Sequence, residues 1–162
     1  MLLERATRDA LTKLRNRQAI LEILYTRDRY GHAASDALAI ALIDIDHFKR
    51  INDTMGDLAR DEVLRVLGAQ LSGRSRACDA LGRCGGEELL LIMSDASRLQ
   101  RIISEVPFSY KGSMIRVTAT SGVAWLTSDS DSAEDVIGRA DQALYTARYA
   151  GRDRVEFAAT GS

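Results

Sequence analysis

An α/β fold with a mixed central sheet is what the sequence predicts, and three observations predict it. Residues 37–43, Ala-Leu-Ala-Ile-Ala-Leu-Ile, form the continuous apolar run expected of a strand buried on both faces. A second apolar run, Leu89–Met93, follows a Gly85-Gly86 pair and reads as one arm of a hairpin. Around these runs lie stretches with helical spacing, and strands interleaved with helices about one hairpin argue for a mixed sheet.

The elements follow in order. Thr7 to about Arg29 reads as a helix, with Asn16 as a restart or cap and Ile20, Ile23 and Leu24 on one face. A strand over 38–45 comes next. A short helix near Lys49–Met55 precedes a longer one near Leu58–Leu71, which turns Val63, Leu64, Val66, Leu67 and Leu71 inward. Asp79–Arg83 and Glu88–Met93 form the hairpin, and the two glycines suit a type I′ turn, whose central positions both need positive φ. Ser94-Asp95 caps a helix running to about Glu105. Ile115–Leu126 alternates as a strand, Ser132 caps a helix to Ala150, and Arg154–Phe157 is a short last strand.

Composition bounds the function. A chain of 162 residues fits one domain with a substantial core. A net charge of −1 gives no electrostatic case for nucleic acid or an anionic membrane. No apolar run approaches the ~20 residues that span a bilayer, and no signal peptide is recognisable. Cys78 and Cys84 lack metal-ligand spacing, and His32 and His47 are too scattered for zinc, so buried free thiols in a reducing cytoplasm are expected. Pro107 is the single proline, so no proline-rich linker divides the chain.

Acidic residues meet the buried strands at two places. Asp44 and Asp46 end the first apolar run and, by the two-residue period of a strand, share a face. Glu87 and Glu88 sit between the glycines and Leu89. Carboxylates that close repel and raise each other's pKa, so a metal ion or ligand is their natural partner. A central strand ending in carboxylates, beside a hairpin starting with them, can build an oxygen cage for Mg²⁺. Each cluster alone also fits a solvated strand end or hairpin tip.

These residues bring the chain to a resemblance. It resembles the GGDEF-domain family, the diguanylate cyclases of bacterial signal transduction, with the naming motif present as Gly85-Gly86-Glu87-Glu88-Leu89. The family's opening segment is matched by Asp9-Ala10-Leu11-Thr12-Lys13-Leu14-Arg15-Asn16-Arg17. Asp44-Ile45-Asp46-His47-Phe48-Lys49-Arg50-Ile51-Asn52-Asp53 carries a further signature, and Ala140-Asp141-Gln142-Ala143-Leu144-Tyr145 leading to Gly151-Arg152 a last one. The matches run in order over about residues 5–157.

The resemblance implies a ferredoxin-like palm, nucleotide-cyclase-like, with a sheet of about five strands surrounded by helices. It implies condensation of two GTP into cyclic di-GMP with release of two pyrophosphates. On the matching positions, Asp44, the carbonyl of Ile45, Glu87 and Glu88 are the implied ligands of Mg²⁺, or of Mn²⁺, at two ions per subunit. Glu87, Glu88 and Lys49 are the implied catalytic groups, Glu87 helping to deprotonate the attacking hydroxyl. The backbone at His47 and Phe48, with Lys49, Arg148 and Arg152, is implied to hold phosphates. Asn52 and Asp61 are implied to read guanine, since a carboxylate can accept from N1–H and N2–H₂, donors that adenine lacks. Each has a plainer alternative: solvated charges for the basic residues, a helix-dipole partner for Asp61, a turn former for Asn52.

Arg76 and Asp79 resemble the family's product-inhibition motif, with Arg101, or failing that Arg98, as the second arginine. Residues 1–8 resemble the end of a linker helix from an N-terminal sensor or receiver domain. Residues 9–158 are then the cyclase domain and 159–162 a tail, acting as a cytoplasmic homodimer with no membrane contact from this segment. Leu89, Asp57, Arg60, Lys13 and Arg148 depart from the usual pattern, and Arg60 places a cation beside the guanine reader. The alternative function is a weak or inactive module that serves as a cyclic di-GMP receptor or GTP-binding regulator.

Overall fold

A computed structural model describes residues 6–30, 38–103, 106–126 and 132–159. Helix α1 spans Arg17–Tyr30, β1 Leu38–Ile45, α2 Phe48–Met55 and α3 Asp57–Arg74. The β2 (Ala80–Arg83) and β3 (Glu88–Met93) hairpin follows, then a 3₁₀ turn over Ala96–Arg98 and the one-turn helix α4, Leu99–Ile102. Strands β4 (Val106–Tyr110), β5 (Ser113–Val117) and β6 (Ala119–Leu126) lead to α5 (Ala133–Tyr149) and β7 (Val155–Phe157).

Five strands form the central sheet in the order β2-β3-β1-β6-β7. Strand β1 pairs antiparallel with both β3 and β6, while β6 and β7 run parallel. Strands β1, β2, β3 and β6 and the helices between them thus trace a βαββαβ unit, the ferredoxin-like arrangement, and the parallel β7 makes the sheet mixed.

Burial on both faces explains the unbroken apolar composition of β1. Ala39, Ala41, Ile43 and Ile45 face one core with Val63, Leu64, Leu67 and Leu71 of α3. Ile40 and Leu42 face a second with Ile20 and Leu24 of α1 and Val136, Ala140 and Leu144 of α5. Gly122 lets α5 lie directly on β6, because a Cβ there would come within 2.2 Å of the Ala140 carbonyl and the Leu144 nitrogen.

Five expectations need correction. The helix expected from Thr7 to about Arg29 begins at Arg17. The Asp9 carboxylate takes the Thr12 N–H at 2.8 Å and its hydroxyl at 2.7 Å, and this closes a turn in place of helix. Asn16 does act as a cap, accepting from the Ala19 N–H at 2.9 Å. The 115–126 stretch breaks at Thr118, and β5 leaves the sheet to pair with β4. That second hairpin was legible in Lys111-Gly112, whose φ values of 49° and 79° suit a two-residue turn. The Gly85-Gly86 link is no type I′ turn. Neither glycine has positive φ, the connection is four residues long, and the Arg83 guanidinium holds the Gly85 and Gly86 carbonyls. Asp95 caps only the short 3₁₀ and α4 turns, with Ser104 and Glu105 outside the described residues. Cys78 is an exposed thiol, not a buried one.

The expected linker at residues 1–8 lies mostly outside the described residues. No described helix is long and apolar enough to cross a membrane.

Candidate active site

Strand β1 ends between the strands that carry its chemical partners. Asp44 lies across from Glu88 on one side and Thr120 on the other. The chain then turns sharply at His47, whose φ is 56°, and enters α2 at Phe48. The result is an open cleft of about 640 Å³ lined by Asp44, Ile45, Asp46, His47, Phe48, Lys49, Glu87, Arg148 and Arg152, among others. Residues separated by more than a hundred positions in sequence meet here because β1 is central and α5 packs across the sheet face over β6 and β1.

The two aspartates that share a face have different surroundings. Asp44 is buried; its Oδ2 accepts from the Arg148 guanidinium, while its Oδ1 has no hydrogen-bond partner among the described residues. A buried carboxylate oxygen left open is costly unless a donor or cation reaches it. Asp46 is saturated: Thr118 donates at 2.6 Å, Thr120 donates as well, and the Asp153 N–H donates at 3.0 Å. Asp46 therefore contributes no open oxygen to a metal cage, contrary to the strand-face expectation.

The paired glutamates also part. Glu87 lines the cleft with Asp44, whereas Glu88 lines a neighbouring cavity of about 360 Å³ with Arg17, Tyr25, Glu134 and Asp141. Burial, then Asp141 and Glu87, push the Glu88 carboxyl above its usual range, against the pull of Arg17. Burial and the Glu88 charge push the nearby Cys84 thiol up to about 12, again against Arg17. Among the described residues no three Asp, Glu, His or Cys side chains gather as a metal cluster. Four carboxylates line the cleft, those of Asp44, Asp46, Asp53 and Glu87, and with Asp46 engaged by its donors the expected set is Asp44, Glu87 and the Ile45 main chain. That set suits Mg²⁺, which commonly takes one or two carboxylates and leaves its remaining positions to water and substrate phosphates.

Basic groups face these acids. Lys49, Arg148 and Arg152 line the cleft, with Arg148 and Arg152 at and beyond the end of α5 as their spacing implied. Desolvation, then the charge of Arg152, lowers the pKa of Arg148.

Asn52 and Asp61 lie outside the lining of this cleft. The Asn52 Oδ1 is buried without a hydrogen-bond partner among the described residues, and Asp61 is covered by Arg60, whose Nε and Nη2 both lie 3.4 Å from its Oδ1.

One supporting contact escaped the sequence reading. Arg83 donates to both oxygens of Asp9 at 3.2 Å while it holds the glycine carbonyls, so it ties the hairpin tip to the 9–16 turn. Burial alone would raise Asp9, but its bonds from Thr12 and the Arg83 charge outweigh this and hold it below the usual range. An acidic residue with a threonine three positions on was the available signal for that turn.

Far from the cleft, at the opposite end of the hairpin, Asp79 accepts from the Arg76 N–H at 2.7 Å and from Arg98 Nη1 at 3.3 Å. Arg98, the second choice, is therefore the arginine that meets Asp79. Arg101 contributes its carbonyl, which accepts from Arg74 at 3.1 Å.

A ferredoxin-like sheet whose central strand delivers carboxylates to an open cleft also lined by basic side chains defines a palm-type domain. The family model described as "Diguanylate cyclase, GGDEF domain" matches residues 6–154, and the chain belongs to this family. It is 40% identical to diguanylate cyclase DgcP of Pseudomonas aeruginosa over 96% of its length, which is 24% of that protein. It is 35% identical to diguanylate cyclase A of Treponema denticola over 95% of its length, 45% of that protein. The chain thus spans less than half the length of these curated relatives. The crystal structure of the GGDEF domain of DgcB from Caulobacter crescentus, in complex with c-di-GMP, superposes with a TM-score of 0.86. That match covers 96% of this chain and 94% of that one at 30% identity.

Proposed function

We propose that residues 9–158 form a diguanylate cyclase domain that condenses two GTP into cyclic di-GMP and two pyrophosphates. The observation that supports this reading most is the convergence of Asp44, Glu87, Lys49, Arg148 and Arg152 on one cleft. Their charges match a nucleoside triphosphate whose 3′-hydroxyl must be aimed at another α-phosphate, a reaction governed by positioning and charge.

In this reading Lys49, Arg148, Arg152 and the His47–Phe48 backbone hold the phosphates. The left-handed backbone at His47 is of the kind in which successive N–H groups can form an anion-binding concavity. Asp44, Glu87 and the Ile45 carbonyl would hold Mg²⁺ or Mn²⁺, and Glu88, across the sheet from Asp44, would assist a second ion. The bound ion would neutralise triphosphate charge and make the hydroxyl easier to deprotonate. Glu87 receives the proton of the 3′-hydroxyl as that oxygen bonds to the α-phosphorus and pyrophosphate departs. The same exchange in the opposite sense closes the ring. Because each subunit supplies one GTP, two copies must face each other, so the working unit is a homodimer. Asn52 and Asp61 select guanine.

Product inhibition is assigned to Arg76, Asp79 and Arg98, where arginine forks suit guanine and phosphate. We place the domain in the cytoplasm, downstream of an N-terminal sensor or receiver domain joined through residues 1–8.

Arg60 lying across Asp61 favours a second reading, a GGDEF module that binds nucleotide without turning it over. Incubation of the purified chain with GTP and Mg²⁺, followed by chromatography, separates the two. Cyclic di-GMP and pyrophosphate in a 1:2 ratio are expected. Unchanged GTP at high protein concentration would leave the receptor reading.

A further inference from the structure

Asp46 is 6% exposed and sits where three segments meet. Thr118, at the break between β5 and β6, donates its hydroxyl to Oδ2 at 2.6 Å, and Thr120 of β6 donates to Oδ1. The third donor is the Asp153 N–H, 3.0 Å from Oδ2 and also 3.0 Å from the Thr120 hydroxyl oxygen. The Asp46 N–H in turn donates to the Thr118 carbonyl at 2.9 Å, so β1 is locked to the start of β6 through both main chain and side chain.

The turn that follows α5 is strained. Gly151, Arg152 and Asp153 have φ values of 119°, 63° and 46°. For the two non-glycine residues the left-handed region costs roughly 1–2 kcal/mol each, and such backbone persists only where its surroundings hold it. The flanks are held by main-chain bonds: Arg152 N–H to the Ala147 carbonyl at 3.0 Å, and Ser121 N–H to the Arg154 carbonyl at 2.9 Å. Between them the Asp153 N–H ties the turn to Asp46 and to the Thr120 hydroxyl that Asp46 orients, while the exposed Arg116 lies 3.4 Å from the Asp153 carboxylate and Arg154 Nε donates to the Arg152 carbonyl at 3.0 Å. Arg152, one residue earlier, lines the cleft. On the other side of Asp46 comes His47, itself left-handed at φ 56°. One carboxylate thus joins the two turns that wall the cleft.

We infer that Asp46 is a positioning residue: its buried carboxylate holds the 151–154 turn in its left-handed form and so aims Arg152 at the triphosphate of the bound nucleotide. This rests on the proposed phosphate role of Arg148 and Arg152. It distinguishes Asp46 from Asp44, whose free oxygen faces the chemistry directly. A neutral amide could not replace the carboxylate fully, since it has one acceptor oxygen for three donors and lacks the charge that strengthens all three bonds.

The test measures three quantities on the whole chain: affinity for α,β-methylene GTP with Mg²⁺, turnover of GTP, and hydrogen exchange at the Asp153 amide. Asp46→Asn is expected to weaken affinity and raise KM about tenfold, with kcat changed about twofold or less, and to speed exchange at Asp153. Thr118→Val should move affinity in the same direction, and Thr118→Ser, which keeps the hydroxyl, should restore it. The Thr118 pair carries the test if Asp46→Asn does not fold. A loss confined to kcat would make Asp46 one of the reacting groups and overturn the inference. Unchanged affinity with unchanged exchange would also overturn it, because the turn would then be self-supporting. Arg152→Ala binding the analogue as tightly as wild type would overturn the phosphate reading and the aim given to the turn, while exchange at Asp153 still reports on the clamp.

Discussion

The two ends of the β2–β3 hairpin carry similar residues and treat them in opposite ways. At the Asp79 end, acid and base satisfy each other: the Asp79 side chain is fully buried, and Arg98, 12% exposed, lies 3.3 Å from it. At the Glu87 end, the cleft keeps groups unsatisfied. Asp44 has an open buried oxygen, and Lys49, Arg148 and Arg152 crowd one wall. Charges paired inside the protein support the fold and must be separated before a ligand can use them. At the near end the pairing is incomplete: Arg148 meets one oxygen of Asp44, and the other oxygen is left for a partner from outside. The near end is built to be completed by phosphate and metal, and the far end to stand closed until a ligand displaces its internal pair.

Removing a reacting group at the near end should have the largest effect. Glu87→Gln is expected to lower cyclic di-GMP formation by roughly 10²–10⁴-fold in a chromatographic rate assay, the range for a lost general base. Its thermal midpoint should stay near wild type, since the carboxylate lines an open cleft. A variant with an unchanged rate would break the assignment of Glu87.

Base selection comes next. Asn52→Ala or Asp61→Ala should weaken GTP binding by about 1–3 kcal/mol, the size of a polar partner left unpaired, with little change for ATP. Equal calorimetric affinities for GTP and ATP in the wild-type chain would mean that the base pocket lies elsewhere.

Smaller is the pH effect at Glu88. Its carboxyl is raised in the folded chain, so the native state binds a proton that the unfolded state releases, and stability falls as pH climbs from the unfolded value through the folded one. In metal-free buffer Glu88→Gln should therefore be more stable than wild type at neutral pH. The difference should vanish in acid, below the unfolded carboxylate value of about 4.3. Denaturant midpoints across pH read this directly, and a gap that widens in acid would have the wrong sign.

The smallest effect belongs to Arg60. Its contact with Asp61 is part-exposed, so Arg60→Ala should tighten GTP binding by about 0.2–1 kcal/mol as the carboxylate is released. Weaker binding in that variant would show that Arg60 helps to hold the base.

Much of this division was legible in residue order. The double-faced burial of β1 and the capping of α5 at Ser132 follow from an apolar run and a cap residue, whose physics is local, while the five-strand sheet was implied by the resemblance. The motif residues were legible through resemblance, since spacing alone left each cluster open to a plainer reading. What stayed hidden depends on long-range partners. Asp44 and Asp46 have the same identity and the same strand face, and only the arrival of Thr118, Thr120 and Asp153 separates an open oxygen from a saturated one. Glu87 and Glu88 part because Glu87 still belongs to the hairpin link, whereas Glu88 is the first residue of β3 and is fixed opposite Asp44. The choice of Arg98 over Arg101 turned on a helix shorter than its cap suggested.

The most direct measurement is calorimetric titration of α,β-methylene GTP into the wild-type chain, with Mg²⁺ and again with chelator. If the near end of the hairpin is an unsatisfied site completed by metal and triphosphate together, binding should be at least about tenfold tighter with Mg²⁺, a gain of about 1.4 kcal/mol. Equal affinity under the two conditions would contradict the account.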